Sequence, residues 1–172
     1  EFRVEGCEVA FGPNEAFPAL TLELPLGKTY ALSGRIDRVD GYRNEEGVSF
    51  LRVIDYKTGS AAFAMEDLFS GLKLQLPLYI SALTAASRVE EKAARAAGMY
   101  YLPVIDPVSD EEDDEALLKA LDEQFRMRGL TLRDAALLRA GGAGVAFAAR
   151  PGKYAVDGDS LALASRFARD KA

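Results

Sequence analysis

The chain has 172 residues, 49% hydrophobic and 28% charged, the balance of an ordinary globular fold long enough for a sizeable core. Its net charge of −6 speaks against a general-purpose nucleic-acid binder. No apolar run approaches the ~18 residues of a membrane helix, and no signal-peptide pattern is present, so neither a membrane partner nor secretion is expected.

Glu1 rather than Met opens the chain and a strand-like stretch follows at once. Residues 1–172 are therefore read as a single domain belonging to a longer polypeptide. One cysteine, Cys7, and no histidine exclude an internal disulfide, a thiolate metal cluster and a Cys–His nucleophile. A reducing, cytoplasmic setting fits this composition. Residues 2–11 alternate as a strand, Gly12-Pro13-Asn14 marks a turn, and residues 21–26 alternate again. After the Pro25-Leu26-Gly27 break, residues 28–39 read as one strand running into Gly34-Arg35-Ile36-Asp37-Arg38-Val39-Asp40. Gly27-Lys28-Thr29 lacks the earlier glycine of a phosphate-binding loop, because position 22 is Leu22.

Between Tyr42 and Val48, Glu45-Glu46-Gly47 suits a three-residue hairpin loop with Gly47 in the left-handed position. That register pairs Asn44 with Val48 and, counted back, sets Asp37 opposite Asp55. Leu51, Val53, Asp55 and Lys57 then share one face, and Phe50, Ile54 and Tyr56 the other, as in a central strand covered on both sides. Opposed residues sit with Cβ atoms roughly 4.5–5.5 Å apart, so two carboxylates there repel unless a proton or cation intervenes. An oxygen-loving divalent ion, Mg²⁺ or Mn²⁺, resolves this, and the spacing predicts an Asp37–Asp55 metal site with Lys57 beside it.

Residues 66–87 form an amphipathic helical stripe of Leu68, Leu72, Leu76, Tyr79, Ile80 and Leu83, which Pro77 is expected to bend or interrupt. Gln75 falls on the same side as Tyr79, and its amide needs a partner. Residues 98–105 read as a buried strand, its Tyr100 and Tyr101 being sheet residues more readily than base-stacking ones, with Pro103 at an edge or at the strand's end. Residues 111–127 read as a helix with Leu117, Leu118, Leu121 and Phe125 inward, closed by Arg128-Gly129; its acidic start complements the helix dipole. Residues 131–138 suggest a short helix, 145–149 a short strand, and 161–167 a last helix. The six acids at 110–115 contrast with Arg35, Arg38, Arg43, Arg52, Lys57 and Lys73, which gather around the motif region and would make a local DNA contact.

Gly34-Arg35-Ile36-Asp37-Arg38-Val39-Asp40, then Ile54-Asp55-Tyr56-Lys57-Thr58-Gly59, then Gly71-Leu72-Lys73-Leu74-Gln75-Leu76-Pro77-Leu78-Tyr79 resemble, in order, the motifs of the PD-(D/E)XK nuclease superfamily. The wording is most similar to the RecB-like branch and the C-terminal nuclease domain of the AddB component of AddAB-type helicase–nucleases. The resemblance implies an α/β restriction-endonuclease-like core, a central mixed β-sheet flanked by α-helices. It implies metal-dependent DNA exonuclease activity at DNA ends in double-strand break repair and recombination, beside an AddA-type helicase–nuclease partner. Asp37, Asp55 and Lys57 become the catalytic set. Asp37, Asp55 and the backbone carbonyl of Tyr56 become the metal ligands. Lys57 would orient or deprotonate water, or stabilise charge. Gln75 and Tyr79, with Arg35 and Arg38, become supporting, DNA-orienting residues.

Two features depart from the family pattern. RecB-like nucleases commonly carry a metal-site histidine on an upstream helix, and AddB-type domains hold a [4Fe–4S] cluster through four cysteines. This chain has neither set. No iron–sulfur site is expected within it, and the isolated piece is expected to be weakly active. A catalytically silent nuclease-fold module and a stand-alone RecB-like nuclease remain the alternative readings.

Overall fold

The computed structural model describes residues 1–59, 61–89, 94–104, 113–141 and 155–156. In chain order these form β1 (Arg3–Phe11), β2 (Leu20–Leu24), a 3₁₀ turn at Pro25–Gly27, β3 (Lys28–Leu32), β4 (Gly34–Arg43) and β5 (Ser49–Lys57). Then follow α1 (Met65–Phe69), α2 (Gln75–Val89), β6 (Ala94–Pro103), α3 (Asp114–Gln124), β7 (Arg128–Leu132), α4 (Ala135–Ala140) and β8 (Ala155–Val156). Among the described residues, one sheet runs in the order β1-β4-β5-β6-β7-β8. The β5/β6 and β7/β8 pairs are parallel and the others antiparallel, giving the mixed sheet with flanking helices of a restriction-endonuclease-like α/β fold. No helix among the described residues is long and apolar enough to cross a membrane.

The β4–β5 hairpin follows from its loop chemistry. Gly47 takes φ 82°, Asn44 N–H donates to the Val48 carbonyl at 3.0 Å, and the Asn44 side chain accepts from the Val48 amide at 2.8 Å. The register then runs Arg43↔Ser49 to Arg38↔Ile54, as the loop predicts. Strand β5 lies between β4 and β6, and Val53 and Ile54, on opposite faces, are both fully buried. On one face Leu76, Ile80 and Leu83 of α2 pack with Val39, Val53, Met99, Tyr101 and Leu130. On the other, Leu137 of α4 packs with Phe50 and Ala97, flanked by Phe2 and Tyr42. These two layers bury the apolar stripes of helices and sheet against each other.

Four local expectations are corrected. Residues 28–39 are not one strand: β3 pairs with β2 in a separate two-stranded sheet, and β4 starts afresh at Gly34 to pair with β1. The stripe at 66–87 is two helices. Gly71, at φ 71°, ends α1: its amide donates to Leu68 and that of Leu72 to Asp67, a Schellman closure. Leu72 therefore leaves the stripe and is 74% exposed, while Pro77 falls in the first turn of α2, where it disrupts little. The helix expected to end at Met127 stops at Gln124, with Leu118 and Phe125 exposed, and Arg128-Gly129 opens β7 instead of closing a helix. Gly129 packs so closely against Met99 and Tyr100 of β6 that a Cβ there would overlap the Met99 carbonyl. Accordingly the short helix read over 131–138 begins only at Ala135, after Asp134 accepts from the Ala136 and Leu137 amides. Pro103 ends β6, which is an interior strand and not an edge. The expectations for residues 105, 110–112, 142–149 and 159–167 lie outside the described residues.

Candidate active site

Asp37 sits one residue beyond the end of the β4/β5 ladder. The β4/β5 ladder reaches Arg38↔Ile54, so one further step sets Asp37 beside Asp55, but the next backbone bond is replaced. The Tyr56 amide donates to Asp37 Oδ2 at 2.8 Å. On the other side, β1 pairs Cys7 with Arg38 and Val9 with Ile36, passing over Asp37 and Glu8, and Glu8 adopts φ 53°.

Asp55 and Lys57 project from β5 toward α2. Asp55 is 2% exposed, and Lys57 Nζ lies 2.6 Å from its Oδ2. The approach is an ion pair without hydrogen-bond geometry, which leaves that buried oxygen short of a proper donor. Lys57 donates to Gln75 Oε1 at 3.0 Å, and Gln75 Nε2 donates to the Tyr79 hydroxyl at 2.9 Å. The ammonium also stands 5.1 Å above the Tyr101 ring, which the parallel pairing of Asp55 with Tyr101 places there. Asp55, Lys57, Gln75 and Tyr79 thus form one chain of contacts from the central strand to the first turns of α2.

Burial pushes the Asp55 carboxyl above the usual range; Lys57 opposes this and the Asp37 charge adds to it. Burial pulls Lys57 down, but its pairing with Asp55 and the charges of Asp55, Tyr101 and Asp37 outweigh it, so its ammonium is favoured. A carboxyl with a raised folded-state pKa contributes stability fully below its unfolded value, about 4, and loses that contribution as pH rises through the folded value. Without a divalent ion, Asp55→Asn is therefore expected to raise the melting midpoint at pH 7 by a few degrees, with no gain at pH 4. Calorimetric scans of both proteins in chelator would check this.

The structure places the remaining cations less uniformly. Arg35 pairs with Glu8 at 3.5 Å on the surface, and Lys73 with Asp67 at 2.8 Å beside the Ala62 carbonyl. Arg38 is not brought to the Asp55–Lys57 group. It shares the reverse face with Asp40, which it grips through Nε at 2.6 Å and Nη2 at 3.1 Å. Arg52 joins the same carboxylate at 2.8–2.9 Å and stacks on Phe2 at 4.3 Å. Asp40 is completely buried, a third motif acid missed as a site feature. The hairpin register that pairs Asp40 with Arg52 was the signal that could have exposed it. Tyr101 had no such signal, since only the β5/β6 pairing sets it under Lys57. Cys7 is exposed on β1.

Hard oxygen donors gather at this end of β5: the Asp37 and Asp55 carboxylates and the backbone at Tyr56. The under-satisfied Asp55 Oδ2 has room in its bonding for a cation, so the donor set suits Mg²⁺ or Mn²⁺. The Lys57 carbonyl is already taken by the Val104 amide at 2.8 Å. Among the described residues no group of three or more His, Cys, Asp or Glu side chains gathers to hold a metal. An ion here would thus keep several water or substrate ligands, as Mg²⁺ usually does.

Comparison with known proteins points the same way. A family model for the PD-(D/E)XK nuclease superfamily matches residues 1–155. Over 141 residues the chain is 38% identical to the B-type subunit of the ATP-dependent helicase/deoxyribonuclease of Thermoanaerobacter sp. (strain X514), covering 80% of this chain and 12% of that protein. It is 38% identical over 136 residues to the protein of the same name from Acetivibrio thermocellus, covering 77% and 12%. The match to that of Desulforudis audaxviator (strain MP104C) is 41% over 146 residues, covering 80% and 12%. The chain therefore spans only 12% of the length of these relatives. Members of the matched superfamily are divalent-metal nucleases, and the order of motifs, the mixed sheet and the Asp55–Lys57 pair agree with it: the chain belongs to the PD-(D/E)XK nuclease superfamily.

Proposed function

We propose that this domain hydrolyses phosphodiester bonds at DNA ends with a divalent ion, Mg²⁺ or Mn²⁺, held by Asp37, Asp55 and the Tyr56 carbonyl. The observation that carries the reading is the buried Asp55–Lys57 pair on the central strand, with Asp37 brought alongside and Asp55 Oδ2 short of a donor. A bound ion would supply Lewis acidity at phosphorus and a more acidic attacking water. The protein's own groups do the rest. Lys57 faces two acceptors, Asp55 and Gln75 Oε1, so it is held as a donor suited to the charge that develops on a phosphate oxygen. Gln75, tied back to Tyr79, fixes where that ammonium points. Tyr56 N–H holds Asp37 in place.

The relatives are named as one subunit of a helicase/deoxyribonuclease, which supports a setting in which an AddA-type partner helps deliver unwound strands during break repair and recombination. A metal-titrated assay on end-labelled single-stranded DNA, with the full-length protein, tests the reading. Cleavage should be absent in chelator, return with Mg²⁺ or Mn²⁺, and vanish with Asp37→Ala. Cleavage that ignores chelator would sink it.

A further inference from the structure

The buried oxygen that pairs with Lys57 is also the one best placed to take a divalent ion. Asp55 Oδ2 lies 2.6 Å from the Lys57 ammonium, yet it has no hydrogen-bond partner. Two cations drawing on one oxygen repel each other. An ion there would weaken the Asp55–Lys57 pair just when the ammonium is needed. Something else has to keep Lys57 at its station, because its side chain is 31% exposed and its stem is flexible.

Two groups remain for that task. Gln75 Oε1 accepts one N–H at 3.0 Å. The other is the face of Tyr101, whose ring centroid lies 5.1 Å from Nζ, inside the ~6 Å over which a ring attracts a cation. They differ in kind. An amide oxygen takes up one of the three ammonium hydrogens, whereas a ring face at this distance attracts the charge without consuming a donor. The ring therefore leaves an N–H free for a phosphate oxygen.

The fold fixes the ring more firmly than the lysine. Tyr101 is 4% exposed in the interior strand β6, level with Asp55 of β5 on one side and Arg128 of β7 on the other. Phe63 packs against it, with ring centroids 6.2 Å apart. The parallel register sets Tyr101 beside Asp55, two residues before Lys57, so an ammonium drawn back toward Asp55 comes over the ring.

We infer that the Tyr101 ring face positions Lys57, keeping the ammonium seated beside Gln75 once a divalent ion draws on Asp55 Oδ2. The inference rests on the divalent-ion reading above and deepens it. Tyr101 is a positioning residue, since it acts through Lys57 and not on the substrate.

The test uses the full-length protein with Tyr101→Phe, which keeps the negative ring face, and Tyr101→pentafluorophenylalanine, which keeps the ring and reverses the charge of its face. Values of kcat and KM are measured on single-stranded DNA in Mg²⁺. Access to Lys57 is read independently of cleavage, by amine labelling and peptide mass spectrometry without DNA, in chelator and in Mg²⁺. Tyr101→Phe should keep kcat within about twofold of the parent. The pentafluoro variant should lose about tenfold in kcat at unchanged KM and melt within about 2 °C of Tyr101→Phe. Its Lys57 should label several-fold faster in Mg²⁺ but little faster in chelator, where Asp55 still holds the ammonium. Tyr101→difluorophenylalanine should fall between the two, a gradation that misfolding would not reproduce. Equal kcat and equal labelling across the series would overturn the inference, leaving Tyr101 as packing and the nuclease reading intact. A loss already complete in Tyr101→Phe would overturn it too, by assigning the effect to the hydroxyl. No Mg²⁺-dependent cleavage in the parent would instead remove the nuclease reading, and the inference with it.

Discussion

Lys57→Ala is expected to lower DNA cleavage by about a thousandfold or more at saturating Mg²⁺, with little change in the affinity for DNA. A preorganised donor aimed at developing charge typically contributes about 10²–10³ in rate, and more where the donor is a full cation in a water-poor site. Lys57 meets both conditions: it is two-thirds buried, held between Asp55 and Gln75, and backed by the Tyr101 ring. Asp55→Ala should be at least as damaging, because the same carboxylate would hold the ion. Gln75→Ala should be milder, about tenfold, since it leaves the ammonium in place and frees only its aim. Initial rates on single-stranded DNA, with circular dichroism to confirm folding, give the ranking. Wild-type rates in Lys57→Ala would exclude it from the chemistry.

Asp40→Ala is expected to be the most destabilising single change at the motif, costing about 3 kcal/mol and lowering the melting midpoint by roughly 10 °C. The residue is wholly buried, and its loss strands two guanidiniums that converge on one carboxylate. The effect should stay at the lower end of the usual range of about 3–5 kcal/mol, because Arg38 and Arg52 keep some access to water. Replacing Asp40, Arg38 and Arg52 together by apolar residues should restore much of the loss, since no charge is then left unpaired. Urea unfolding of the single and triple variants measures both. A loss below about 1 kcal/mol in Asp40→Ala would mean that water reaches the cluster.

These two expectations draw on different kinds of information. The Asp55–Lys57 pair could be read directly from alternation along residues 51–57, and the opposition of Asp37 to Asp55 from the Glu45-Glu46-Gly47 loop. Both are local: a left-handed glycine sets the hairpin, and a period of two sets the faces. The same register pairs Asp40 with Arg52, but it does not reveal the depth at which they lie. Residues 28–39 read as one strand because their alternation continues across Ser33, whereas partner choice divides them. Strand β7 was invisible for a related reason. Arg-Gly after an amphipathic helix is also a good helix ending, and only the close approach of the β6 backbone makes Gly129 a strand residue.

What the amino-acid order alone determined is therefore the candidate set of Asp37, Asp55 and Lys57 and their common strand face, along with the hairpin that joins the two acids. These follow from turn geometry and side-chain alternation, which act over a few residues. Tertiary structure decided the bond from the Tyr56 amide to Asp37, the seat of Lys57 between Gln75 and Tyr101, and the burial of Asp40 behind the sheet. Each depends on pairing between segments far apart in the chain, where backbone hydrogen bonding and the packing of α2 against the sheet outweigh local preference.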